Sequence, residues 1–84
     1  MSFATQLAAL PEGTFTGLVH GRRYVVTKSS FSNGKSVKLV AEELGGTDYI
    51  SLNWYDLARG SVVKPCEMPE AKVRAFVDVL VVAP

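Results

Sequence analysis

Three turn pairs, His20-Gly21, Asn33-Gly34 and Gly45-Gly46, break up a run of β-branched and aromatic residues at nearly even spacing. Tight mirror-image reversals between antiparallel strands need positive φ at both central residues, and Gly and Asn reach that region at the least steric cost. With the further turn Ala58-Arg59-Gly60, these pairs predict strands over 14–20, 22–31, 36–43, 48–55 and 61–64. The expected fold is α+β: an antiparallel five-stranded β-meander, with a short N-terminal helix and a C-terminal helix packed on one face.

The turns also predict the register. If Gly45-Gly46 are the two loop residues, Leu39 faces Leu52, Val37 faces Trp54 and Ala41 faces Ile50, so that apolar residues collect on one side of the sheet. The same rule through Asn33-Gly34 pairs Val26 with Ala41 and Tyr24 with Glu43, and through His20-Gly21 it pairs Phe15 with Val26 and Gly17 with Tyr24. The expected buried face is Phe15, Val19, Tyr24, Val26, Val37, Leu39, Ala41, Ile50, Leu52 and Trp54. Lys28 and Ser30 fall on this face as well, a conflict with two resolutions. Either Lys28 snorkels past the core edge, or the loop is three residues long and the second strand is shifted.

Before the first strand, Phe3, Leu7 and Leu10 recur at helical spacing behind Ser2, a natural N-cap, which predicts a helix from Phe3 to Leu10. After the last strand, Pro69 and Glu70 suit a helix start, and Val73, Phe76, Val77 and Leu80 form an apolar stripe, so a second helix is expected from Pro69 to Leu80. Both helices are expected on the same apolar face. Val79, Val81 and Val82 lie off the stripe and are β-branched, which suits either a strand or contact with another subunit.

With 84 residues, the chain is expected to form a single domain, residues 1–84, too small for two cores. A composition 48% hydrophobic and 20% charged is that of a folded protein. Nine Lys and Arg against eight Asp and Glu leave a net charge of +1, which supplies no general attraction for nucleic acid or an acidic membrane. The apolar stretch Val79–Ala83 is far shorter than the ~20 residues a membrane-spanning helix needs. The first residues carry no basic leader or long apolar run, so a cytoplasmic location is the expectation.

One cysteine and one histidine make neither an internal disulfide nor a zinc site, and no glycine-rich phosphate loop precedes a helix, so no metal and no cofactor is expected. Cys66 lies just ahead of the second helix, where a helix N-terminus can activate a thiol. Glu67 and Glu70 oppose its ionisation, and no resolving cysteine exists. An inert, packed thiol is therefore the stronger reading of Cys66. His20 reads as a turn residue rather than a general base, since no nucleophile or orienting carboxylate accompanies it.

The other face of the meander is expected to carry Arg23, Thr27, Lys38, Tyr49, Ser51, Asn53 and Tyr55, with Val25 and Val40 between them. Aromatics interleaved with cations on an open sheet can stack bases and neutralise phosphates. The plain alternative is a solvated face with cross-strand pairs such as Asn53 with Lys38 and Tyr49 with Glu42. Tyrosine-rich patches also suit a homodimer contact. The ligand-binding candidates are Arg23, Lys38, Tyr49, Asn53 and Tyr55. They point to a non-enzymatic binding or interaction module, with a single-stranded nucleic-acid binder as an alternative.

Leu10-Pro11-Glu12-Gly13-Thr14-Phe15-Thr16-Gly17, Gly21-Arg22-Arg23-Tyr24, Asp48-Tyr49-Ile50-Ser51-Leu52-Asn53 and Lys64-Pro65-Cys66-Glu67-Met68-Pro69 resemble stretches of a group of short bacterial proteins without an established function. The resemblance covers nearly the whole chain. Some members carry the label peptide methionine sulfoxide reductase, which implies a thiol-dependent redox enzyme as a second alternative. The Gly-Cys-Phe-Trp nucleophile motif of one reductase class and the paired zinc cysteines of the other are both absent here. Under that label Cys66 is the only residue that could act as the nucleophile.

Overall fold

A computed structural model describes residues 2–84. In chain order it has α1 (Phe3–Ala9), β1 (Gly13–Val19), β2 (Arg22–Phe31), β3 (Ser36–Glu43), β4 (Tyr49–Leu57), β5 (Gly60–Pro65), α2 (Glu70–Val79) and β6 (Val81–Val82). The strands form one open antiparallel sheet in the order β5-β4-β3-β2-β1-β6, with both helices on one face. The architecture is the α+β meander expected from the turn pairs, with six strands in place of five.

Every strand pairing read from the turns is present, including Leu39 with Leu52, Val26 with Ala41 and Phe15 with Val26. His20 and Gly21 both adopt positive φ, 50° and 78°, as a two-residue mirror-image turn requires. At the next reversal the loop is longer: Phe31 pairs with Ser36, and Ser32, Asn33 and Gly34, all at positive φ, form a left-handed turn between them in which the Lys35 N–H donates to Ser32 O at 3.2 Å. A four-residue loop centred on the same peptide as a two-residue one removes one residue from each strand and leaves the register unchanged.

Lys28 therefore belongs on the covered face, and the strand is not shifted. It is only 6% exposed, and its Nζ donates to the carbonyl oxygens of Leu7, Ala8 and Leu10 at 2.9, 3.3 and 2.8 Å. These acceptors close the C-terminal end of α1, where carbonyls lack the i+4 donor; Leu7 O also accepts from the Leu10 N–H at 3.2 Å. The ammonium does not snorkel to water; it caps a helix. Ser30 lies at the exposed margin of the same face. Its N–H and hydroxyl both donate to the Glu12 carboxylate, at 2.8 and 2.7 Å, beyond the point where β1 begins. Those bonds hold the Glu12 carboxyl below its usual pKa, the hydroxyl contributing most.

Ser2 caps α1 as expected, its Oγ accepting from the Thr5 N–H at 3.1 Å. The helix stops at Ala9 and buries Leu7 in the core. The second helix is a residue shorter at each end than its apolar stripe suggested, with Pro69 as N-cap and Leu80 as C-cap. It carries the chain across the sheet and buries Val73, Phe76 and Val77 against the strands. The helices also meet each other: Gln6 Nε2 donates to Asp78 Oδ1 at 2.8 Å, and the Arg74 guanidinium lies 5.2 Å from the centre of the Phe3 ring.

Of the tail valines, Val79 ends α2 and packs against the core, and Val81 and Val82 form a strand. Val81 pairs with Leu18 and Val82 with Gly17, and the Ala83 N–H donates to Thr16 O at 2.9 Å. Gly17 leaves room for the Leu80 side chain, whose Cδ1 would lie 2.5 Å from a Cβ there. β6 thus covers the Thr16–Leu18 part of the β1 edge, and β5 forms the opposite edge of the sheet. Leu39, Ile50, Leu52 and Val26 are fully buried beneath the helices, each stabilising the fold by about 1.5–3 kcal/mol. Phe15 and Trp54, expected in the core, are half-buried at its margin, and the Trp54 indole N–H is buried without a partner.

Candidate functional site

The sheet face turned away from the helices is uncovered. Alternation along the strands places Arg23, Lys38, Tyr49, Asn53 and Tyr55 on it, as expected. Arg23 and Lys38 are exposed, Tyr49 is 42% exposed, and Asn53 and Tyr55 are half-buried by their neighbours. Lys38 lies opposite Asn53, which in turn lies opposite Lys64, and Tyr49 lies opposite Glu42. The five candidates do not converge on one point. In the row order set by the register, Arg23 and Tyr55 are four rows apart, roughly 26 Å at the rise of a strand.

Several members of this face were not singled out by sequence reasoning. Phe31, Leu57 and Val81 are exposed on it, and Lys64 and Val62 join it from β5. Of the seven large apolar residues exposed among the described residues, five, Val25, Phe31, Tyr49, Leu57 and Val81, lie on this face. Its strand positions carry three cations, Arg23, Lys38 and Lys64, against one anion, Glu42. The register of β4 with β5 was the available signal for Lys64 and Val62.

Cys66 extends the β4–β5 ladder by one residue, its N–H donating to Ser51 O at 3.0 Å. This places the half-buried thiol on the same open face, where Asn53 Nδ2 donates to Sγ at 3.8 Å. His20 is on the other side of the sheet, at the β1–β2 turn beside α2. The structure does not bring Cys66 and His20 together. Among the described residues no three His, Cys, Asp or Glu side chains gather in a metal-binding group, and no helix is long and apolar enough to cross a membrane.

A cleft of about 390 Å³ opens between α2 and the end of the sheet that carries the His20-Gly21 turn. Val19, Ile50, Phe76 and Val79 form its apolar part, with His20, Arg22, Tyr24, Asp48 and Lys72 as its polar members. Asp48 ties three elements together. The Tyr24 hydroxyl donates to Oδ2 and the Lys72 ammonium donates to Oδ1, each at 2.8 Å. The Lys72 and Tyr24 bonds hold the Asp48 carboxyl below its usual pKa. Burial, reinforced by the bond to Asp48, pushes the Tyr24 hydroxyl up to about 12. The Tyr24 ring meets Phe76 edge to face, with centroids 5.0 Å apart. Bonded to both Tyr24 and Lys72, Asp48 clamps α2 to the sheet. Its members are too far apart in sequence for any local motif to mark them.

No protein-family model matches the chain, and no curated protein or solved structure matches it.

Proposed function

We propose that the chain is a small non-enzymatic interaction module that recognises a partner through the uncovered face of its sheet. The reading is carried by the concentration of exposed Val25, Phe31, Tyr49, Leu57 and Val81 on that one face, among an excess of cations. Aromatic and apolar side chains mixed with cations suit a recognition surface, and here they form two groups, Val25, Tyr49 and Val81 toward the His20-Gly21 end and Phe31 and Leu57 toward the other, with Lys38 and Asn53 between them. Tyr49 and Tyr55 supply flat, semi-rigid contact area. Arg23, Lys38 and Lys64 favour an acidic partner surface.

The tyrosines among cations also favour single-stranded nucleic acid as the partner, since every base offers a face to stack on and a phosphate to neutralise. The test is amide NMR shift mapping of the full chain against short single-stranded DNA and RNA, against an acidic peptide, and by dilution against its own second copy. Saturable shifts at Lys38, Tyr49, Asn53 and Tyr55 that vanish in the Tyr49→Ser/Tyr55→Ser double variant support the reading. If none of these amides moves in any arm, the face is an ordinary solvated surface. The thiol-dependent alternative rests on Cys66 alone, with the Asn53 amide as its neighbour. It requires reduction of a methionine sulfoxide peptide that Cys66→Ser abolishes.

A further inference from the structure

We infer that the cleft between α2 and the turn end of the sheet is a separate binding site for a small amphipathic carboxylate, with an apolar body of one ring or a short chain. The cleft is on the helix side of the sheet, opposite the recognition face, so the inference goes beyond the function proposed above. Its volume of about 390 Å³ lies at the small end of the range of roughly 300–1,000 Å³ typical of ligand sites. Val19, Ile50 and Phe76 line it while belonging to the buried core. The apolar wall is therefore held in place by the packing of the whole domain, and a ligand need not order it.

Hydrogen-bonding capacity at the rim selects the head group. Both oxygens of Asp48 are engaged, one by Tyr24 and one by Lys72, so the carboxylate of the cleft is already served. Donors remain in excess. The Lys72 ammonium carries three N–H groups and spends one on Asp48. Arg22 forms a loose ion pair with Glu43, Nε to Oε2 at 3.9 Å and too long for a hydrogen bond, and its 66% exposed side chain keeps its guanidinium N–H groups for a ligand. Arg22 and Lys72 stand against Asp48 in the lining, and Glu43 beside Arg22 balances the local charge, so the unspent donors rather than net charge select the head group. A cation would have to compete with Tyr24 and Lys72 for Asp48, whereas a carboxylate meets the unspent donors of Arg22 and Lys72 with its apolar body against Val19, Ile50 and Phe76.

The full chain is titrated with phenylacetate and with octanoate while amide NMR shifts are followed, using phenylacetamide and inorganic phosphate as controls. The expected result is a saturable shift at Val19, Arg22, Asp48, Lys72 and Ala75 with at least one carboxylate, the open-face residues Lys38, Asn53 and Tyr55 staying still. Loss of a charge-assisted bond weakens binding by about tenfold, so phenylacetamide with wild type, and the bound carboxylate with Arg22→Gln, are each expected to be weaker by that factor. Ala75→Phe, at an exposed α2 position lining the cleft, fills the space and abolishes the shifts. Both variants change exposed side chains, and unchanged amide spectra away from the cleft verify that they fold. The inference is overturned if neither carboxylate gives saturable shifts there, or if phenylacetamide binds as tightly. It is equally overturned if phosphate alone matches the carboxylates, or if Arg22→Gln or Ala75→Phe leaves binding unchanged. Because the open-face amides report separately, loss of this site and loss of the recognition face are distinguishable.

Discussion

Beneath α1, a buried lysine gives its ammonium to three backbone carbonyls, whereas beside α2 a partly exposed carboxylate is shared between a phenol and a lysine. The two helices are fastened to one sheet by opposite charges at different depths. Seven residues are too few for a helix to hold itself together in water, and α1 places just Leu7 among the fully buried side chains. Its C-terminal carbonyls need donors from the sheet, and only a side chain with several protons serves all of them. The ten-residue α2 is held by Val73, Phe76 and Val77, so its polar tie can remain at the rim. The Asp48 tie lies beside a cleft of about 390 Å³, whereas the buried Lys28 lines a smaller one of about 220 Å³ with Leu7, Ala8, Val37 and Trp54.

The comparison breaks most directly at Lys28. Lys28→Met keeps the length of the side chain and removes the donors, leaving carbonyls of α1 unserved, and is expected to cost about 3 kcal/mol in urea unfolding. Amides of α1 should lose hydrogen-exchange protection while those of α2 keep theirs. A loss well under ~1 kcal/mol would mean that water replaces the ammonium and that α1 is not held this way.

Alkaline titration addresses the other fastening. Tyr24 is 2% exposed and its hydroxyl ionises near 12 in the fold, against about 10 in an unfolded chain. The folded state therefore keeps a proton that the unfolded state releases. This contribution is fully present below pH 10 and is lost as pH rises to about 12, amounting to about 2 kcal/mol. Stability curves measured across that interval should fall less steeply in Tyr24→Phe than in the wild type.

Asp48→Asn should have a smaller effect, about 1 kcal/mol, because the Lys72 partner is 44% exposed and water screens the pair. The Asp48 carboxyl is held below its ordinary value, so its contribution is present above pH ~4 and is lost as pH falls through the lowered folded value. Acid unfolding of Asp48→Asn followed by circular dichroism should lack that component.

The smallest stability effect is expected on the uncovered face. Tyr49→Ser and Tyr55→Ser should each change stability by about 0.5 kcal/mol or less in thermal unfolding, since no helix packs over them. A large loss at either position would show that the face contributes to folding and would weaken its reading as a surface reserved for a partner.

Much of the architecture was legible because local chemistry and the hydrophobic pattern agree. The pairs of Leu39 with Leu52 and Phe15 with Val26 follow from where the turn residues sit, and they hold even where the Phe31–Ser36 loop is longer than two residues. The sixth strand was harder to read. Val81 and Val82 have strand character, but pairing with β1 depends on where α2 delivers them and on the room that Gly17 leaves for Leu80. The open face was predicted in composition but not in extent, since Lys64, Val62 and Cys66 join it only through the β4–β5 register. The cleft was not legible, because Arg22, Asp48 and Lys72 come from three elements separated along the chain.

The amino-acid sequence alone determined the order of helices and strands, the alignment of the meander and the division of its two faces, because turn geometry and alternation act between near neighbours. Only the tertiary structure decided what Lys28 does on an apolar face, which edge receives the valine tail, and that Tyr24, Asp48 and Lys72 meet beside a cleft. Those outcomes depend on how α1 and α2 lie across the sheet, and side-chain contacts between distant segments are set by that packing rather than by any local pattern.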